Sequence, residues 1–76
     1  IMSHRTDILC KLTLAQAKQI FKEFDEYAKK YKGKYKYSVL YTRAIKRISK
    51  MSGLSFYEVY VLFDGWNGIA DRVKSL

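Results

Sequence analysis

Between Leu14 and Tyr31, apolar residues return every three or four positions: Leu14, Ala17, Phe21, Phe24, Ala28 and Tyr31, widened by Ile20 and Tyr27. A period near 3.6 buries its apolar side chains along one face of an α-helix, so the stripe sets both the element and the side it turns to a core. Lys18, Lys22, Glu23, Asp25, Glu26 and Lys29 line the outer side. Thr13-Leu14-Ala15-Gln16 supplies the start as a capping box, with Thr13 accepting from the third helical N–H and Gln16 reaching back. Leu12 and Ala17 flank that cap as a hydrophobic staple. Lys22 and Glu26, four apart, add only about a few tenths of a kcal/mol. A lysine-rich last turn suits the negative end of the helix dipole, and Gly33 stops the helix, which is expected over about 14–32. The stripe fits packing inside a monomer or a seam between two copies, so a homodimer stays open as a second arrangement.

A second stripe, Leu40, Ala44, Ile48 and Met51, predicts a helix over about 38–52 with Arg43, Lys46, Arg47 and Lys50 on its outer face. Small Ser49 sits where two helices must approach closely, and Gly53 where a sharp turn needs φ > 0. Leu54 plugs that turn, and Ser55 caps a third helix, about 56–63, whose Val59 and Leu62 point back at Ile48 and Ala44. The run Ile48-Ser49 through Gly53-Leu54-Ser55 to Val59 resembles the helix-turn-helix of small phage and bacterial DNA-binding regulators, over about residues 44–63. The resemblance implies that the first helix of the pair crosses the phosphate backbone, for which Arg43, Lys46, Arg47 and Lys50 are suitably charged, and that the third helix reads bases. That third helix departs from the pattern. Its outward positions are Tyr57, Glu58, Val61 and Asp64, with Tyr60 at the flank, and none is an Arg, Lys, Asn or Gln able to grip a purine edge. Glu58 could accept from a cytosine amine and Val61 could touch a thymine methyl, yet exposed aromatic groups rimmed by charge also suit a protein interface.

Beyond it, Asp64-Gly65-Trp66-Asn67-Gly68 reads as a break in which Gly65 ends one helix and Asn67 caps the next. Ile69, Val73 and Leu76 then form a short closing helix, with Trp66 as the lid of the core. Residues 1–12 read as a partly flexible start followed by a short apolar segment, with Asp7 opening a turn of helix and Cys10 a buried thiol among Ile8, Leu9 and Leu12. Seventy-six residues with no proline and four glycines favour helices and one small domain. The expected fold is all-α: a three- to four-helix bundle over residues 1–76 containing the helix-turn-helix.

Charge speaks most directly to function. Fifteen basic against seven acidic residues give a net charge of +8, which calls for an anionic partner. Lys29 to Tyr37 holds five lysines and three tyrosines in nine positions, and no acidic residue occurs from Tyr27 through Tyr57, where nine basic ones do. Lysines and arginines release counterions from phosphates, while tyrosines can stack on unpaired bases or donate a hydroxyl to phosphate. The expected contacts are Lys30, Lys32, Lys34, Lys36, Arg43, Lys46, Arg47 and Lys50 to phosphates, with Tyr57 and Tyr60 approaching the groove. Duplex DNA is favoured over RNA as the partner, and the chain reads as a DNA-binding regulator from a phage or mobile element. The alternative is a protein-interaction module that binds and inhibits an acidic host protein or nuclease. One Cys and one His build no zinc site or Cys-His pair, and there are no facing carboxylates or phosphate-cradling glycine loop, so neither enzyme activity nor a cofactor is expected. No apolar run approaches the ~20 residues that span a bilayer, and no signal-peptide core is seen, which makes a cytoplasmic protein without membrane contact the expectation.

Overall fold

The computed structural model describes residues 4–76 as five helices: α1 (His4–Cys10), α2 (Leu14–Tyr31), α3 (Tyr37–Ser52), α4 (Phe56–Leu62) and α5 (Gly65–Lys74). The expectation of flexibility at residues 1–3 lies outside the described residues. The fold class is the all-α bundle expected, with one more helix than the count allowed. Helices α2 and α3 form the main antiparallel pair, α4 and α5 pack across α3, and α1 lies against α4. No described helix is long and apolar enough to cross a membrane.

Helix α2 begins with the capping box foreseen: the Gln16 N–H donates to Thr13 Oγ1 at 3.1 Å, and the Thr13 N–H donates to Gln16 Oε1 at 2.8 Å. Ile20, Phe24 and Ala28, four apart, are its buried line. Leu14 is not part of it and stands 72% exposed. It lies in the first turn, about 120° around the helix from Ile20, at the margin of the buried arc. On α3 the buried line is Leu40, Ala44, Ile45 and Ile48, while Met51 is 44% exposed. The arc shifts toward Ile45 because α3 is covered on two sides, by α2 and by α4 with α5, leaving Met51 at the open end of the α2 seam. Ala28 and Ala44, both fully buried, let the two helices approach closely.

The corner between α3 and α4 is built as expected. Gly53 takes φ 78°, its N–H donating to Ser49 O at 3.0 Å. The Ser49 hydroxyl donates to Leu54 O at 2.5 Å, and half-buried Leu54 packs on the core. Ser55 then opens α4 with a second capping box, pairing with Glu58.

The α4–α5 link departs from expectation. Gly65 begins α5 rather than ending α4, and Asn67 lies inside α5 instead of capping it. Two successive left-handed residues, Asp64 (φ 63°) and Gly65 (φ 72°), reverse the chain in minimum length, so no longer break is needed. Trp66 is consequently not a lid. It is 44% exposed and meets Tyr60 edge-on at 5.0 Å. Phe63 closes the core instead, 5% exposed, with ring centroids 4.4 Å from Phe24 and 4.9 Å from Phe21.

The expected turn of helix near Asp7 is a full helix, His4–Cys10, docked on the body. Ile8 is buried, and the Arg5 Nε donates to Leu62 O at 3.0 Å, capping the C-terminal end of α4. Cys10 is exposed, contrary to expectation. Ile8 already occupies the inward position, and Cys10 is about 200° further round the helix.

Inside α5, a Cβ at Gly68 would collide with the Phe63 carbonyl oxygen and sit 2.7 Å from Asp64 Cβ. At Gly33 (φ 86°) nothing lies within 4 Å, so only backbone strain opposes a side chain there. Gly33→Ala is therefore expected to cost about 1–2 kcal/mol. Gly68→Ala should cost more, about 2–3 kcal/mol from overpacking, despite the better helix propensity of alanine. Urea unfolding of both variants checks the order. A smaller loss for Gly68→Ala would contradict the close α4–α5 junction.

Candidate functional site

Tyr27 and Tyr31 are four residues apart on α2 and so share a face. After the helix, the Lys32 N–H closes the last turn on Ala28 O, Gly33 takes its left-handed turn, and the bridge between Lys32 and Tyr35 folds the chain back. That return lays Tyr35 against Tyr31. The three rings form a ladder, with centroids 4.7 Å apart for Tyr27–Tyr31 and 5.4 Å for Tyr31–Tyr35.

Helix α3 runs antiparallel beside this ladder and places cations on it. Arg43 and Arg47, also four apart, lie over Tyr35 (4.8 Å to the centroid) and Tyr27 (5.5 Å). The ammonium groups of Lys30 and Lys34 sit 5.4 Å and 5.7 Å from the Tyr31 centroid. Lys46 and Lys50 continue the α3 row, lining a shallow groove with Tyr27, Arg47, Met51 and Glu23. Lys46 and Arg43 also line the adjoining groove with Ser38, Val39 and Thr42. Stacking on a ring leaves the N–H edge of a guanidinium free, and that edge matches phosphate and carboxylate oxygens. The result is one strip bearing Lys30, Lys34, Arg43, Lys46, Arg47 and Lys50 around three tyrosines. Each cation–ring contact contributes about 0.5–1 kcal/mol at an exposed site, enough to fix direction more than to stabilise the fold.

The remaining expected residues lie elsewhere. Lys32 is drawn away, its Nζ donating to Leu76 O at 3.1 Å. Lys36 is exposed at the N-cap position of α3, without a side-chain capping bond. Tyr57 and Tyr60 belong to a second aromatic group on α4 and α5, stacked at 6.4 Å on one another, with Tyr60 against Trp66. Ser49, which holds the turn into α4, is about 160° around α3 from Arg47 and about 100° from Lys50 but only about 60° from Lys46, so of the four α3 cations Lys46 lies nearest the corner and Arg47 farthest round from it.

Folding also alters the acid-free character of the region. Glu23 on α2 reaches to 4.0 Å from Arg47, and Glu26 lines a groove with Lys30, Tyr31 and Arg47. Among the described residues no carboxylate pairs with Arg43, Lys46 or Lys50. The strip is thus most positive toward Arg43 and the Lys34 turn.

Of the expected base-reading positions on α4, two carry structural duties. Glu58 accepts from the Ser55 N–H at 3.0 Å and from Lys11 Nζ at 3.1 Å, so its carboxylate is committed. Asp64 faces Arg5 at 3.6 Å. Val61 is half-buried against the core. Arg72, absent from the sequence expectations, holds Asp25 through two bonds of 2.7 Å and 2.9 Å and lies 4.7 Å over Phe21, tying α5 to α2. Burial pushes the Tyr41 phenol up, and neighbouring Tyr37 adds to the effect. Among the described residues no group of three His, Cys, Asp or Glu side chains could hold a metal ion.

The Ser55 N–H and then Lys11 hold the Glu58 carboxyl below its ordinary value of 4.5. A depressed carboxylate pKa stabilises the fold above the unfolded value, and the contribution fades as pH falls through the folded value. Glu58→Gln keeps a capping side chain but removes the titration. Its melting temperature should therefore fall less steeply than that of the parent protein as pH is lowered below about 4.5. Identical slopes in thermal melts would show that the capping box does not tune this group. No protein-family model, curated protein or solved structure matches this chain.

Proposed function

We propose that this protein binds nucleic acid, holding phosphates along the α2–α3 strip. The observation that carries the reading is the joint placement of Arg43 and Arg47 on Tyr35 and Tyr27, with Lys30 and Lys34 on Tyr31. Ring contacts orient four of the strip's six cations, and among the described residues Arg43, Lys46 and Lys50 have no carboxylate paired with them. Such a surface gains free energy by releasing counterions from a phosphate chain. In this reading the Gly53 corner braces α3, so that a helix-turn-helix geometry serves the backbone-crossing helix more than the reading helix. A regulatory role on DNA fits that arrangement.

A second reading has its own support. Tyr57 is 59% exposed and Trp66 44%, and aromatic anchors of this kind suit a protein partner. An acidic protein bound at the strip would use the same cations.

Fluorescence anisotropy of a labelled oligonucleotide decides between them. Neutralising about five phosphates gives log K falling against log salt with a slope of about −4 to −5. Reversing two charges, Arg43→Glu with Lys46→Glu, should weaken binding at least about tenfold at low salt while leaving the helical circular dichroism intact. Absence of binding to any DNA or RNA at low salt would contradict the proposal and favour the protein partner.

A further inference from the structure

The tyrosines of the strip raise a question of what form of nucleic acid it takes. Exposed rings beside cations are the usual platform for unpaired bases, which stack on any free aromatic face. Here each ring already has an aromatic neighbour and a cation. Tyr31 has Tyr27 and Tyr35 as ring neighbours and two lysine ammonium groups near its centroid. Tyr27 has both Tyr31 and Arg47 as neighbours, and Tyr35 has both Tyr31 and Arg43. All three rings are half-buried against the core. A base stacking on Tyr27 or Tyr35 competes with a guanidinium that itself gains from the ring. The tyrosines therefore act as pedestals for cations.

Base edges are equally poorly served. On α4 the Glu58 carboxylate is bonded to Ser55 and Lys11 and Val61 is half-buried against the core, while Asp64, at the start of α5, faces Arg5. The strip itself presents Arg43, Lys46, Arg47 and Lys50 along α3. Arg43, Lys46 and Lys50 follow one another at about 4.5–6 Å along the helix axis, with Arg47 about 1.5 Å beyond Lys46 and about 100° round from it, so the four span about 10 Å. Their shape suits a row of fixed phosphates better than a flexible strand.

From this we infer that the strip grips the backbone of double-helical nucleic acid without reading its sequence and without stacking on unpaired bases. The inference rests on the proposed function, and its failure can be told apart from the failure of that reading. Anisotropy titrations would use two unrelated DNA duplexes of about 20 base pairs and one single strand of the same length, at one salt concentration. The two duplexes should bind within about threefold of each other, and the single strand at least about tenfold more weakly. Tyr35→Leu should lower duplex affinity by only about threefold, through looser placement of Arg43, and leave the duplex preference unchanged. A preference above about tenfold for one duplex would overturn the inference while leaving nucleic-acid binding standing. Tighter binding of the single strand, lost in Tyr35→Leu, would do the same by showing that bases stack. No binding to any of the three probes would remove the proposed function itself.

Discussion

The apolar seam between α2 and α3 governs this molecule. Ile20, Phe24 and Ala28 on one helix meet Leu40, Ala44 and Ile48 on the other, and all six are essentially shut off from water. At about 25 cal/mol per Å² of apolar surface, such burial is the main favourable term in so small a domain. The seam also sets the register that brings Arg43 opposite Tyr35 and Arg47 opposite Tyr27. A slip of one helical turn would move Arg43 and Arg47 off their rings. The same contacts that stabilise the fold therefore arrange the charges.

The other elements brace that pair. Phe63 fills the space beneath Phe21 and Phe24, Arg72 clamps α5 to α2 through Asp25, and α1 secures α4 through Arg5 and Lys11. These ties pair Asp25, Glu58 and Asp64 with Arg72, Lys11 and Arg5, so the three carboxylates are matched by cations outside the α2–α3 strip. What is left in excess is positive, and it collects where α2 and α3 face solvent.

Much of this was legible in the residues. Thr13 and Gln16 announced the α2 start, and Gly53-Leu54-Ser55 announced the α3–α4 corner, because capping and left-handed turns are local chemistry. The acid-poor stretch correctly marked α3 as the charged helix. Tertiary facts were not legible. Nothing local shows that Phe63 rather than Trp66 fills the core, that Asp64 adopts a left-handed conformation, or that Lys32 turns to Leu76. Tyr31 and Tyr35 looked like base platforms in one dimension, and Tyr27 like part of the apolar stripe of α2. Their role as supports for Arg43 and Arg47 appears only when α3 lies beside them, although the matching four-residue spacings in both segments were a signal available beforehand. Likewise Glu23 is distant in sequence from Arg47 but adjacent in space.

Two faces of the molecule thus compete for the role of contact surface: the cation–tyrosine strip of α2 and α3, and the aromatic group of α4 and α5. Amide chemical-shift mapping of the isotopically labelled protein, titrated with a short DNA duplex at low salt, separates them residue by residue. The account predicts shifts concentrated at Lys30, Lys34, Arg43, Lys46, Arg47 and Lys50, reversed by added salt, with Tyr57 and Trp66 unmoved. Shifts centred on Tyr57, Tyr60 and Trp66, or none at all, would contradict it.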